Sequence, residues 1–387
     1  MIKSIPFVVL LVLIRFCLWA QESKISLNGY VKELYMFYTP ETQIPGTDLN
    51  HLATNIVHNR LNLKWYTSSE FTTVIEMRNR LMTGNLVRKF PGYQATADVD
   101  NGLFDLSWIS AQSRSWFVHS MIDRAYIDYT AGKWQFRAGR QRINWGVNLV
   151  WNPNDIFNSF SYFDFDYEER PGTDAVRVQY YSGTTSSAEL VYKPGRNRDR
   201  TALAGMYHLT KWDYDFQFIG GQAGNDWILG GGWAGDIRGA GFRGELTHFE
   251  PRNDFSFRTT TASVSADYTF KNSFYIHSSV LYNSSGKTGK AGGMDILFNP
   301  DMSAKQLSLA RWSLFAQVSK PITPLFSGSF SGIVNPSDGS FYAGPALTYS
   351  VLNNLELMLT GQLFFGDPET EFGDIGQIAF GRLKWSF

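Results

Sequence analysis

Apolar and polar residues alternate with a period of two through segment after segment of this 387-residue chain. Successive side chains of a strand point to opposite faces, so this alternation marks strands with one apolar and one polar face. Eighteen segments carry it, at 24–38, 52–66, 69–82, 116–130, 132–144, 173–182, 186–194, 201–210, 213–222, 226–235, 239–249, 256–270, 273–284, 309–320, 323–334, 340–351, 355–365 and 375–387. The connections between them alternate as well. The even ones are tight, as at Thr67-Ser68-Ser69, Gly132, Ser182-Gly183-Thr184, Lys211-Trp212 and Asn353-Asn354, whereas the long ones, 39–51, 83–115, 145–172, 285–308 and 366–374, are all odd. Short periplasmic turns opposite long extracellular loops are the connection pattern of outer-membrane barrels. The expected fold is all-β, a transmembrane antiparallel up-and-down β-barrel of about 18 strands with both chain ends on the periplasmic side.

The two faces of the strands support this reading. In 355–363 the leucines share one face, while Glu356, Thr360 and Gln362 share the other. With lipid outside and water inside, the apolar face turns outward; a soluble barrel would invert it. Composition agrees, because 30 Phe, 19 Tyr and 12 Trp suit aromatic girdles at two membrane interfaces, and 35 Gly accompany them. Formal net charge is zero with no basic stripe, so no nucleic acid is expected as a partner.

Residues 1–20 read as a signal peptide, with Lys3, the apolar run 7–14 and Ala20 before the cut. That run is too short for a membrane helix, which needs about 20 apolar residues. Arg15 and Phe16 argue against a lipid anchor on Cys17, the only cysteine of the chain. Residues 21–387 are then one outer-membrane barrel, with few residues before the first strand and no room there for a plug domain. The last strand places Leu383, Trp385 and Phe387 on one face and Arg382, Lys384 and Ser386 on the other. A final aromatic on such a strand resembles the signal read by the barrel-assembly machinery, which makes Phe387 the expected assembly signal and that machinery and outer-membrane lipid the expected partners.

The densest polar and aromatic region runs from Arg124 to Arg177. It holds Gly139-Arg140-Gln141-Arg142, Trp145-Gly146, Asn152-Pro153-Asn154-Asp155, the acidic aromatic run from Phe163 to Glu169, and Pro171-Gly172. These residues resemble a family of bacterial outer-membrane barrels with a Gly-Arg-Gln strand, a Trp-Gly, an Asn-Pro-x-Asp and a Pro-Gly before the next strand. A looser similarity is to the eighteen-stranded alginate-export porin, whose lumen is rich in arginine. Neither resemblance carries a substrate over.

An arginine on the lipid face near the midplane costs about 2–4 kcal/mol, so Arg140 and Arg142 are expected in the lumen. Arg137 is out of phase with them, and a bulge at Gly139 is the favoured explanation over a place at the periplasmic interface. If 145–172 folds inward, Asp155, Asp164, Asp166, Glu168 and Glu169 face Arg124, Arg140, Arg142 and Arg177 across a pore constriction. The alternative is an external lid whose charges pair structurally.

These features predict a passive channel for small hydrophilic solutes, with the oligomeric state left open. A plugged barrel serving an envelope complex is a second reading, and an outer-membrane barrel enzyme a third. No catalytic residue and no cofactor is expected: His119, His208, His248 and His277 sit on strands without a partnering serine motif. No metal is expected either, because the six histidines are scattered; Asp295 and Asp301 in a glycine-rich loop are a weak calcium candidate, and Gly286-Lys287-Thr288 lacks the rest of a phosphate loop.

Overall fold

The computed structural model describes residues 24–42, 50–90, 92–164, 168–253, 257–292 and 302–387. The expected leader 1–20, Asp166, Asp295 and Asp301 lie outside them. The strands are β1 (Ile25–Thr39), β2 (Leu52–Tyr66), β3 (Phe71–Gly84), β4 (Ser107–Gln112), β5 (Trp116–Ala131), β6 (Trp134–Gln141) and β7 (Thr173–Tyr181). They continue with β8 (Ser186–Lys193), β9 (Ala202–Lys211), β10 (Tyr214–Ala223), β11 (Asp226–Ile237), β12 (Ala240–Pro251), β13 (Thr259–Thr269) and β14 (Tyr275–Asn283). The last are β15 (Trp312–Thr323), β16 (Phe326–Val334), β17 (Phe341–Leu352), β18 (Leu355–Phe365) and β19 (Gln377–Ser386).

Each wall strand pairs antiparallel with the next, and β1 pairs with β19 from Tyr30↔Ser386 to Thr39↔Gln377, so the sheet closes on itself. Closure is what lipid demands, because an edge N–H or C=O has no water to bond there. Eighteen strands form the wall, and their ends fall within three residues of the alternating segments. Outward residues such as Val176, Leu190, Phe218, Leu229, Phe330 and Leu359 are exposed, as a lipid-facing band requires. Exposed Trp65, Trp134, Tyr349 and Trp385 ring the end with the short turns, and Phe37, Trp227, Trp312 and Phe365 ring the other, at the two levels where amphipathic rings settle in a bilayer.

The expected loop 83–115 contains structure that its short, weakly alternating segments concealed: two short helices, α1 (Asn85–Lys89) and α2 (Tyr93–Ala97), and β4. β6 pairs only with Ala125–Ala131 of β5 before its chain leaves the wall. β4 takes the edge of β5 nearer the loops, from Ser107↔Met121 to Gln112↔Phe117.

Two departures from simple alternation shape the lumen. The register between β3 and β5 slips beside Asp123, and this bulge leaves both Asp123 and Arg124 buried inside. No bulge sits at Gly139, where the expectation put one: pairing runs unbroken through it to β5 and β7. Gly139 instead has φ +119, and a Cβ there would lie 2.2 Å from the Ala125 carbonyl oxygen, so a glycine-only backbone changes the phase. Trp134 and Phe136 face out, Arg137 meets Asp128 inside at 2.6 Å, and Arg140 is buried three residues on.

The expected polar lumen holds on β13 to β15, where Thr261, Ser263, Ser265, Ser279 and Ser313 are buried. Toward the long loops the inward positions turn apolar instead, with Leu281, Phe315, Ile333, Tyr342 and Phe364 in one cluster. Their phase is that of the buried hydroxyls, so they point inward; what they pack against is the loop after β6.

Candidate functional site

β6 ends at Gln141 and β7 starts at Thr173, and the described residues between them, 142–164 and 168–172, run inside the barrel. Its first stretch lies against β8 to β13. The Trp145 indole N–H donates to Glu189 Oε1 at 2.7 Å, and the Trp145 carbonyl accepts from Gln217 Nε2 at 2.8 Å. Asn148 accepts from Ser265 Oγ at 2.6 Å, and Asn154 accepts from Thr247 Oγ1 at 2.6 Å. Glu245 of β12 accepts the N–H groups of Val147, Asn148 and Asn154 at 2.6, 2.7 and 2.9 Å. The motif glycine fits this turn, since a Cβ on Gly146 would lie 2.3 Å from Asn152 Oδ1.

The loop then crosses to the far wall. Val150, Trp151, Tyr162 and Phe163 pack with Phe315, Ile333, Tyr342 and Phe364. Tyr162 donates to Ser331 Oγ at 3.0 Å, and the Phe163 carbonyl accepts from Gln362 Nε2 at 3.0 Å. On the way back Glu168 meets Lys384 at 2.8 Å, Arg382 at 2.7 Å and Lys32 at 3.3 Å, so the returning arm is tied to β1 and β19. Glu169 lies 3.8 Å from Arg60 of β2, and Arg124 of β5 donates to the carbonyls of Glu169 and Arg170 at 3.0 and 2.7 Å. The described parts of 142–172 therefore touch the wall around its circumference, which the external-lid alternative does not allow.

Of the expected site residues, Arg124 and Glu169 meet, but through the Glu169 carbonyl rather than its carboxylate. Arg140 does not face the loop acids: it pairs with Asp174 at 2.9 Å and with Asp100, of the β4-bearing loop, at 2.5 Å. Arg177 is likewise taken, by Glu189 at 2.8 Å, which links it indirectly to Trp145. Arg142 lies at the root of the loop near Asp155, and Asp164 lines the mouth cavity. The cations that do meet the loop carboxylates, Lys32, Arg60, Arg382 and Lys384, were missed, as was Glu245. Arg382 and Lys384 could have been found, because the phase of the last strand puts them on the face opposite Phe387.

Burial pushes the Asp155 carboxyl up to about 8 despite the pull of Arg142, whereas Glu168, also partly buried, is held below the ordinary glutamate range by Lys32, Lys384 and Arg382. Burial and the neighbouring Arg142 bring Arg170 down to about 10, and its guanidinium lies 3.2 Å from the Phe160 ring centre. Above the loop a cavity of about 1060 Å³ opens, lined by Arg78, Arg140, Asp174, Lys193, Phe163 and Lys305 among others. Such a set can bind and sort solutes by charge and size; among the described residues no cluster of three metal-ligating side chains occurs.

No protein-family model matches the sequence, and no curated protein matches it. Its fold is similar to solved outer-membrane porins of the Occ/Opd group. Acinetobacter baumannii OccAB4 superposes with a TM-score of 0.61 at 8% identity, covering 95% of this chain and 99% of that one. Pseudomonas aeruginosa OccK11 (OpdR) gives 0.57 at 10%, covering 94% and 96%, and OccD3 (OpdP) of the same organism gives 0.55 at 10%, covering 94% and 91%. At these identities the likeness is one of fold.

Proposed function

We propose that this chain is an outer-membrane porin that passes small hydrophilic solutes passively, with loop 142–172 as its constriction. The observation that carries this reading is the loop itself, whose described residues lie in the lumen and bond to strands around the wall. Eighteen strands lie between the small barrels filled by side chains and the largest, plugged ones, in the size class that leaves an aqueous channel. Solutes entering the mouth cavity then meet a passage whose charges belong to Glu168, Glu169, Arg124, Arg142 and Arg170, with Arg140, Asp164 and Arg177 nearer the mouth or the wall, while Asp155, buried and raised to about 8, stays protonated at neutral pH. Residues 1–20 serve in this reading as the export signal, and Phe387, half-exposed with its ring 5.1 Å from that of Trp385, as the assembly contact.

One observation favours a second reading. Two apolar clusters fill the lumen on either side of the loop, one around Phe315 and Tyr342 and one around Trp145, Phe157 and Val191, as a plugged barrel in an envelope complex would require. Planar-bilayer recordings of the refolded protein separate the two. The porin reading expects stepwise, ohmic conductance and measurable ion selectivity. Correctly folded, heat-modifiable protein without conductance would favour the plug.

A further inference from the structure

Glu245 lies on the lumen face of β12, in phase with buried Thr247 and opposite Leu246, which is exposed on the outer face. It is 1% exposed, and no ion pair involves it among the described residues. A buried carboxylate needs compensation, and here it comes from the loop. Oε1 accepts the consecutive amides of Val147 and Asn148, an arrangement that concentrates positive potential on an anion, and Oε2 accepts that of Asn154. One wall carboxylate thus bridges both ends of the turn 147–154. The other wall bonds of Asn148 and Asn154, two from Asn148 to β13, one from Asn154 to β11 and one from Thr247 to Asn154, join neutral groups.

We infer that Glu245 is the positioning residue of the constriction: by gathering three amides it sets how far 147–154 projects from the wall, and thereby the bore. This rests on the porin reading and assigns it a determinant on the wall rather than on the loop. Val150 and Trp151 at the tip of the turn belong to the apolar cluster around Phe315, so on this inference release at Glu245 loosens the tip as well.

The test uses the full-length barrel with Glu245→Gln, Glu245→Asp and, as a control on the outer face, Leu246→Ala. Glutamine keeps one acceptor oxygen and turns an NH2 toward a loop N–H, whereas aspartate keeps the charge on a shorter stem. The expected result is a conductance increase of roughly twofold with added open-channel noise in Glu245→Gln, an intermediate value in Glu245→Asp and no change in Leu246→Ala, because conduction follows the constriction. A second readout does not depend on conduction: Val150→Cys, in protein freed of the leader that carries Cys17, should react faster with a water-soluble maleimide when Glu245→Gln is added. If labelling accelerates in a barrel that conducts nothing, the anchoring role of Glu245 stands and the porin reading falls. If removal of 156–168 enlarges the conductance while Glu245→Gln alters neither conductance, noise nor labelling, Glu245 does not position the loop and the inference is overturned.

Discussion

The loop enters the lumen and leaves it by two arms that are held in opposite ways. The entering arm, 142–155, is fastened by hydrogen bonds that are mostly buried: the Trp145 indole and three backbone amides donate to Glu189 and Glu245, and Asn154 and Asn148 accept from the hydroxyls of Thr247 and Ser265. The returning arm is fastened by charge, with Glu168 among Lys32, Arg382 and Lys384 and its side chain 29% exposed. Screening by salt acts on exposed charges and hardly at all on buried hydrogen bonds. The contrast teaches that one loop can carry a salt-insensitive latch and a salt-sensitive one, and that the two can be released separately.

Glu245→Ala is the strongest way to break this contrast, since it leaves three amides without their acceptor, two of them buried at about 1–3 kcal/mol each before relaxation. Hydrogen exchange at Val147, Asn148 and Asn154 should accelerate by at least about tenfold, equally in dilute and in molar salt, while amides after Glu168 keep their rates. Acceleration of both arms together would mean that the loop is a single unit, and the distinction would fail.

Glu168→Gln addresses the other arm. It leaves three cations without their shared carboxylate, a coupling of about 1 kcal/mol for partly exposed pairs, and should shift ion selectivity toward anions. The shift should be large in dilute electrolyte and fade near 1 M, where the screening length is about 3 Å. A selectivity change that survives molar salt would show that Glu168 acts through buried structure instead.

Acidity should separate the arms with opposite signs. Glu168 is depressed in the folded state, so its contribution is complete above the ordinary value of 4.5 and is lost as pH falls below it through the folded value. Asp155 is raised from 3.8 to about 8, so the folded barrel holds a proton that the unfolded chain has released. Its contribution therefore declines as pH climbs from 3.8 to about 8 and is level above that. Glu168→Gln should remove the acid-side dependence of barrel stability, and Asp155→Asn the alkaline-side one; the reverse assignment would refute the account of the two environments.

The barrel was legible because one face of each strand must suit lipid, and that constraint writes itself as alternation. Leu355–Phe365 follows it as far as Leu363, before inward Phe364, and its ends match the alternating segment to the residue. β4 was not visible, since it forms only because β6 leaves the edge of β5 early, a consequence of where the loop goes rather than of its own six residues. The sequence draws attention to the charged region around Arg140 and to the acidic run, but it does not give their pairing: Arg140 belongs to Asp100 and Asp174, and Glu168 to cations near the two ends of the chain. Local sequence carries phase and turn chemistry. It does not carry which strand a long loop will meet across a lumen, and Glu245, 97 and 98 residues from the amides of Asn148 and Val147, is the clearest case.

Trp145→Phe sharpens the entering arm further at smaller cost. It removes one indole N–H bond to Glu189, about 1 kcal/mol, and keeps the edge-to-face contact with Phe157 at 4.9 Å. Exchange at Val147 should rise only a few-fold, with conductance near that of the parent. An effect as large as that of Glu245→Ala would place the latch at Glu189 instead.

The central claim, that a loop inside the barrel narrows a conducting pore, is tested most directly by single-channel conductance of the intact protein beside a variant lacking 156–168. That deletion removes Tyr162 and Phe163 from the far wall and Glu168 from Lys32 and Arg382 while leaving the Glu245 contacts in place. The account predicts that the variant inserts as a heat-modifiable barrel and conducts more than the parent, with weaker ion selectivity. Normal insertion with conductance and selectivity unchanged would contradict it.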